Sequence, residues 1–196
     1  ATVMGLAFKM RDPENHLGRG AELGITVALI PTSTPGVRQG ERHIPLMTHF
    51  QNGPLHGEDV FIPLDWVIGG EKQIGQGWRM LMTALAAGRG ISLPSQSAAS
   101  AAMCARLTGA YARIRRQFNM PIGLFEGIQK PLADLAANAY LIDAARRLTV
   151  AALDQGHRPS VVSAIMKYHA TERMRRSVEL AMDVHGGKAI MEGPRN

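Results

Sequence analysis

The side chains able to do chemistry are few and mostly poorly spaced for it. His43, His49 and His56 lie near Glu58 and Asp59, which invites a metal reading. Their separations of six and seven residues match no zinc signature, so they read as loop and strand histidines. Cys104 is the only cysteine. It sits in an Ala-rich stretch with no base beside it, and reads as a buried thiol rather than a nucleophile. Gly18-Arg19-Gly20-Ala21-Glu22-Leu23-Gly24 faintly resembles a dinucleotide glycine loop, but a strand follows it where that loop needs a helix. A turn is expected there. The remaining candidates are arginine clusters at Arg113-Arg115-Arg116, Arg146-Arg147 and Arg173-Arg175-Arg176. They suit a solvated or ion-paired helix face, an anionic small ligand such as a nucleotide cofactor, or nucleic acid. Aromatics for base stacking are scarce at 5% of residues, which disfavours nucleic acid.

The elements that must position these residues change character along the chain. The first 83 residues hold 4 Ala, 12 Gly and 6 Pro, with 7 basic and 8 acidic residues. The last 113 hold 22 Ala, 9 Gly and 5 Pro, with 15 basic and 8 acidic residues. A Gly/Pro-rich, near-neutral part is thus joined to an Ala-rich, basic one. Residues 1–70 predict an antiparallel sheet or partial barrel, with strands over Thr2–Met10, Ile25–Ile30 and Val60–Pro63. From Gly75 the period becomes helical. Trp78, Leu81, Met82 and Leu85 share one face, and the helix should run to about Gln117 with a break at Pro94. A second helix is expected from Leu132 to about Gln155. A third runs from an N-cap at Ser160 to Val184 and stops at Gly186-Gly187. The fold class is therefore α+β: residues 1–70 as a partial antiparallel β-domain, then residues 71–196 as an up-down helical bundle.

Composition excludes several classes. With 45% hydrophobic and 19% charged residues the chain is globular. One cysteine cannot form an internal disulfide. No apolar run reaches the roughly 18–20 residues of a membrane span, and the N-terminus does not read as a signal peptide. Its opening on a strand and its end just after a motif suggest a piece of a longer protein.

Six stretches, in order, carry a resemblance to the acyl-CoA dehydrogenase family. They are Thr34-Pro35-Gly36-Val37 with Gly40, Val60 to Gly69, and Gly75-Gln76-Gly77-Trp78-Arg79. They continue with Tyr111 to Phe118, Leu132-Ala133-Asp134-Leu135, and Asp183-Val184-His185-Gly186-Gly187. Arg115 to Phe118, Glu126-Gly127-Ile128 and His185 to Asn196 look most like the long bacterial fatty-acyl-CoA dehydrogenases of β-oxidation.

The resemblance implies FAD held between a middle β-domain and a C-terminal helical domain, its diphosphate end reaching a neighbouring subunit in a homo-oligomer. It implies α,β-desaturation of an acyl-CoA, with electron transfer flavoprotein as acceptor. By position, Arg115 would contact the FAD pyrophosphate, with Gln117 and Phe118 lining the same site. Glu126, Gln129, Asp183, Gly186 and Gly187 would lie beside the cofactor. Glu126 and Asp183 are carboxylates where the family often has Gln. Arg89 would face the thioester and CoA end of the substrate. The family's alternative base position is Gly88 here, and its usual base lies beyond Asn196. No catalytic residue is therefore expected within the chain, which by itself should be inactive, and no metal is expected. The whole protein is expected in the cytoplasm, with any inner-membrane association arising elsewhere in it. Alternatives within the resemblance are an acyl-CoA oxidase, a DNA-binding relative and a non-catalytic scaffold.

Overall fold

The computed structural model describes residues 2–47, 52–157 and 159–193. His49, Gln51, Arg158 and Pro194-Arg195-Asn196 lie outside the described residues. The chain divides into two compact units, Ala1–Met82 and Thr83–Asn196. Residues 71–82 thus belong with the β-rich unit, although the strand pattern ends by residue 70.

In the first unit, β1 (Val3–Arg11) and β2 (Glu22–Pro31) form an antiparallel hairpin, with a register shift between Met10 and Arg11. The first part of the glycine segment, residues 18–21, lies in the expected turn between them, while residues 22–24 already belong to β2. Asp12 closes the turn by accepting the His16 and Leu17 N–H groups, and Asn15 Oδ1 accepts from the Gly20 N–H. A short hairpin pairs β3 (Val37–Gln39) with β4 (Leu55–Gly57). Val60–Pro63, expected as a strand, is not one. Only Val67 bridges to Ala28; Asp59 takes a positive φ of 48°, and Pro63 has no N–H to donate.

The segment after the sheet is pinned to β2 by a backbone N–H bound to a side-chain hydroxyl and by close backbone approach. Thr26 is fully buried, and its Oγ1 accepts the Gly75 N–H at 3.0 Å. Gly75 has φ +83°, and a Cβ there would lie 2.1 Å from the Leu23 carbonyl oxygen. Only glycine meets both demands.

The helical unit corrects the expected boundaries. The first helix is two: α1 (Gly77–Gly90) and α2 (Ser92–Ile114). The break falls at Ile91, not at Pro94. Pro94 sits in the first turn of α2, where its missing N–H breaks no helical bond. α3 (Glu126–Asp154) starts six residues before the expected Leu132 and runs through Pro131. The carbonyl that Pro131 leaves unserved is that of Gly127, exposed in the first turn. α3 ends in a Schellman arrangement: the Gly156 N–H bonds the Leu153 carbonyl and the His157 N–H that of Ala152. Ser160 is the first residue of α4 (Ser160–His185), not its cap; Pro159 holds that place.

The helices α2, α3 and α4 pack on one another pairwise. Ala98, Ala101, Ile142, Met166 and Ala170 form one buried cluster, where alanines permit close helix approach. Two buried hydroxyls are served within their own helix: Thr149 donates to the Ala145 carbonyl and Ser177 to that of Arg173, each at 2.9 Å. Thr108 Oγ1 is buried without a partner among the described residues.

Two substitutions test this packing by thermal unfolding. Gly75→Ala should cost about 2–4 kcal/mol, because clash and positive φ add, while Gly5→Ala, with open space around it, should be near neutral. Thr108→Val should raise Tm by a few degrees, since it removes an unserved buried hydroxyl worth about 1 kcal/mol.

Candidate functional site

One end of the helical unit gathers three chain segments. Ala112 from α2, Ile122 from the 3-10 turn Ile122–Leu124, and Val184 from α4 form a second buried cluster. Tyr111, Phe125, Ile128 and Leu132 pack against it. This apolar plug brings together the C-terminus of α2, the N-terminus of α3 and the C-terminus of α4.

Eight of the nine site candidates named from the sequence lie on these segments. Arg115 caps α2, its N–H bonding the Tyr111 carbonyl at 2.8 Å. The chain then makes a tight hairpin, β5 (Arg116–Gln117) with β6 (Met120–Pro121). Its two turn residues, Phe118 (φ 50°) and Asn119 (φ 64°), are both left-handed, as a type I′ turn requires. Asn suits that conformation; Phe does not, and its ring is held edge-on to Phe125 at 6.3 Å. Arg116 braces the turn by donating to the Asn119 carbonyl at 2.6 Å. Gln117 Nε2 donates to the Arg116 carbonyl.

Glu126 opens α3, where the positive end of the helix dipole favours a carboxylate or a bound anion. Gln129 follows one turn on, its amide 3.5 Å from the Leu124 carbonyl. Asp183 is exposed near the end of α4. Gly186 (φ 59°, ψ −137°) ends that helix, and a Cβ at Gly186 or Gly187 would meet nothing within 4 Å. The backbone there is open to an approaching ligand. Arg89 is elsewhere. Its neighbour Gly90 packs on Ser163 and Thr149, at the opposite end of α2, roughly 34 Å along a 23-residue helix.

The structure also sorts the arginines. Asp143 takes both Arg146 (2.6 Å) and Arg147 (2.7 Å), and these two guanidiniums hold its carboxyl below the usual range. Glu179 takes Arg175 and Arg176. Arg173 donates to Asn138 at 3.0 Å. Arg113 and Arg115 are exposed with no side-chain partner among the described residues. Two clusters are therefore ion-paired helix faces, while the one beside the plug keeps free guanidinium donors.

Residue-type reasoning missed one contact here. Tyr111 and His185 stack, with ring centroids 4.3 Å apart and planes 15° from parallel. Burial, with Lys188 as a second cause, holds His185 below the ordinary histidine pKa, so its ring is neutral at neutral pH. The two residues are 74 positions apart, and no local pattern links them.

Two of the histidine candidates belong to the first unit. His43 bridges to Asn52, and His56 lies on β4. Among the described residues, no three His, Cys, Asp or Glu side chains group as metal ligands. Burial raises the Cys104 pKa, which keeps it a thiol. No helix among the described residues is long and apolar enough to cross a membrane.

Comparison with known proteins fits this arrangement. Residues 75–195 match the family model for the acyl-CoA dehydrogenase C-terminal domain. Protein HemX of Proteus mirabilis is 53% identical over 104 residues, covering 53% of this chain and 61% of that protein. The short-chain-specific acyl-CoA dehydrogenase of Megasphaera elsdenii is 30% identical over 194 residues, covering 95% of this chain and 47% of that enzyme. Among solved structures, an acyl-CoA dehydrogenase from Geobacillus kaustophilus superposes with a TM-score of 0.82 at 25% identity, over 100% of this chain and 50% of that one. The chain thus spans about half the length of the relatives it matches. A helical unit of this build, matched along its length by that family model, places the chain in the acyl-CoA dehydrogenase family.

Proposed function

We propose that the whole protein is an FAD-dependent acyl-CoA dehydrogenase acting on fatty acyl-CoA in β-oxidation, and that the plugged end of the bundle holds the diphosphate part of FAD. The observation carrying this is the free guanidinium of Arg115 at the same bundle end as the open backbone at Gly186-Gly187. The donor set fits the group. A guanidinium fork matches phosphate oxygens, the α3 N-terminus favours anions, and Gln117 and Gln129 offer amide donors. Phe118 offers an exposed aromatic face beside them.

FAD supplies the hydride acceptor for desaturation; the chain's own residues supply binding and placement. Arg115 binds, the plug orients it, and the glycines let the backbone approach closely. Glu126 and Asp183 bound the site on its acidic side. Arg89, at the far end of the bundle, is assigned to the acyl-CoA. No residue of this chain is assigned as the base for the α-proton. Electron transfer flavoprotein is the proposed acceptor, and a homo-oligomer the proposed assembly.

The test is the whole protein with an acyl-CoA series and an electron acceptor. It should carry FAD, turn over acyl-CoA with electron transfer flavoprotein or a dye, and make little hydrogen peroxide. Peroxide as the main product would instead indicate an oxidase. Arg115→Ala should weaken FAD by about ten- to a hundredfold, the range for a charge-assisted contact, and Arg115→Lys by less. An unchanged FAD affinity in Arg115→Ala would remove Arg115 from the site.

A further inference from the structure

We propose that the Tyr111–His185 ring pair is the positioning element of this anion site, holding Arg115 in register with Gly186-Gly187. The proposal rests on the FAD reading above and names how that site is kept in shape.

The argument is one of where order ends. Tyr111 directly precedes buried Ala112, and His185 directly follows buried Val184. Both rings are half-buried and lie at the lip of the apolar plug. Beyond them, every side chain from Arg113 to Met120 is exposed, as is every residue from Gly186 to Gly193. The stack is therefore the outermost aromatic contact between α2 and α4 before both chains turn into solvent. From Tyr111 the coupling to Arg115 is direct. The two are one helical turn apart, and the Tyr111 carbonyl accepts the Arg115 N–H at 2.8 Å. From His185 the coupling to the glycines is the next peptide bond. A near-parallel ring pair fixes both distance and tilt, which an aliphatic contact does not. Losing it would let the end of α2 and the end of α4 move independently, and a diphosphate bound to both would have to reorder them on binding.

The Phe118–Phe125 contact does not do this work. It ties the hairpin to the start of α3 and leaves the spacing of α2 and α4 untouched.

FAD titration of the whole protein, followed by flavin fluorescence, tests the proposal. His185→Ala should weaken FAD about five- to tenfold, and His185→Phe, which keeps a stacking ring, should stay within about twofold of wild type. His185→Leu, which retains apolar volume without a ring for cases where Ala does not fold, should behave as Ala. In an Arg115→Ala background, His185→Ala should add less than about twofold, because its effect passes through Arg115. A purely packing role predicts independent losses in the two backgrounds, and that result overturns the proposal. So does full affinity in His185→Ala or His185→Leu, or a His185→Phe variant as weak as either. A wild-type protein that binds no FAD sinks the function reading itself, and this proposal with it.

Discussion

The helical unit depends on a small apolar contact: Ala112, Ile122 and Val184 meeting at one end of the bundle. Ala112 and Ile122 lie on either side of a short hairpin, and Val184 is more than sixty residues further on. Each lies within three or four residues of a polar group with no structural duty nearby. Burying three side chains of this size contributes only a few kcal/mol. That is enough to fix where three helix ends stop, because the packed alanine cluster further along has already set the helices side by side. The plug thus converts a generic bundle into one with a defined end, and Arg115, Glu126 and Gly186 are where they are because of it.

Charge shows the same division of labour. The second half of the chain is strongly basic by count, and part of that charge is committed to carboxylates. Asp143 is clasped by two arginines and Glu179 by two more, all within single helices. Such exposed pairs stabilise little, typically under about 1 kcal/mol each. Their effect is to weaken the field along the flanks of α3 and α4, each carboxylate offsetting one of the two charges it takes. Beside the plug, Arg113 and Arg115 have no carboxylate to offset them among the described residues. A uniform basic surface would favour any polyanion; a basic end suits a small one.

Much of this was legible from residue pattern. The shift from strand to helical period near Gly75, the helical bundle and a turn beginning before Gly18 follow from local rules, and the structure contains each, with the first helix divided in two and residues 22–24 drawn into β2. The boundaries were less legible, for identifiable reasons. Pro94 reads as a break, and the second helix reads as starting only at Leu132, but Pro94 and Pro131 both fall in early helix turns where a missing N–H costs little. Val60–Pro63 has strand composition, but pairing needs a neighbour, and composition cannot supply one. At the site, motif order located eight residues on one bundle end. Only coordinates could separate the ion-paired arginines from the free ones, or bring His185 onto Tyr111.

The carboxylates of Glu126 and Asp183 oppose the diphosphate proposed at this end, and magnitudes decide the matter. Both are exposed, so water screens their repulsion of an anion to about 1 kcal/mol or less each at contact distances, and salt reduces it further. Glu126 also gains from the α3 dipole, which offsets part of its cost to the fold rather than to the ligand. A guanidinium–phosphate fork contributes about 1.5–3 kcal/mol per charge-assisted bond and can form two. The attraction therefore exceeds the repulsion, provided Arg115 is held where both of its bonds can form. On the proposed reading, that condition makes the spacing of α2 and α4, more than the net charge of this end, the quantity on which diphosphate binding would turn.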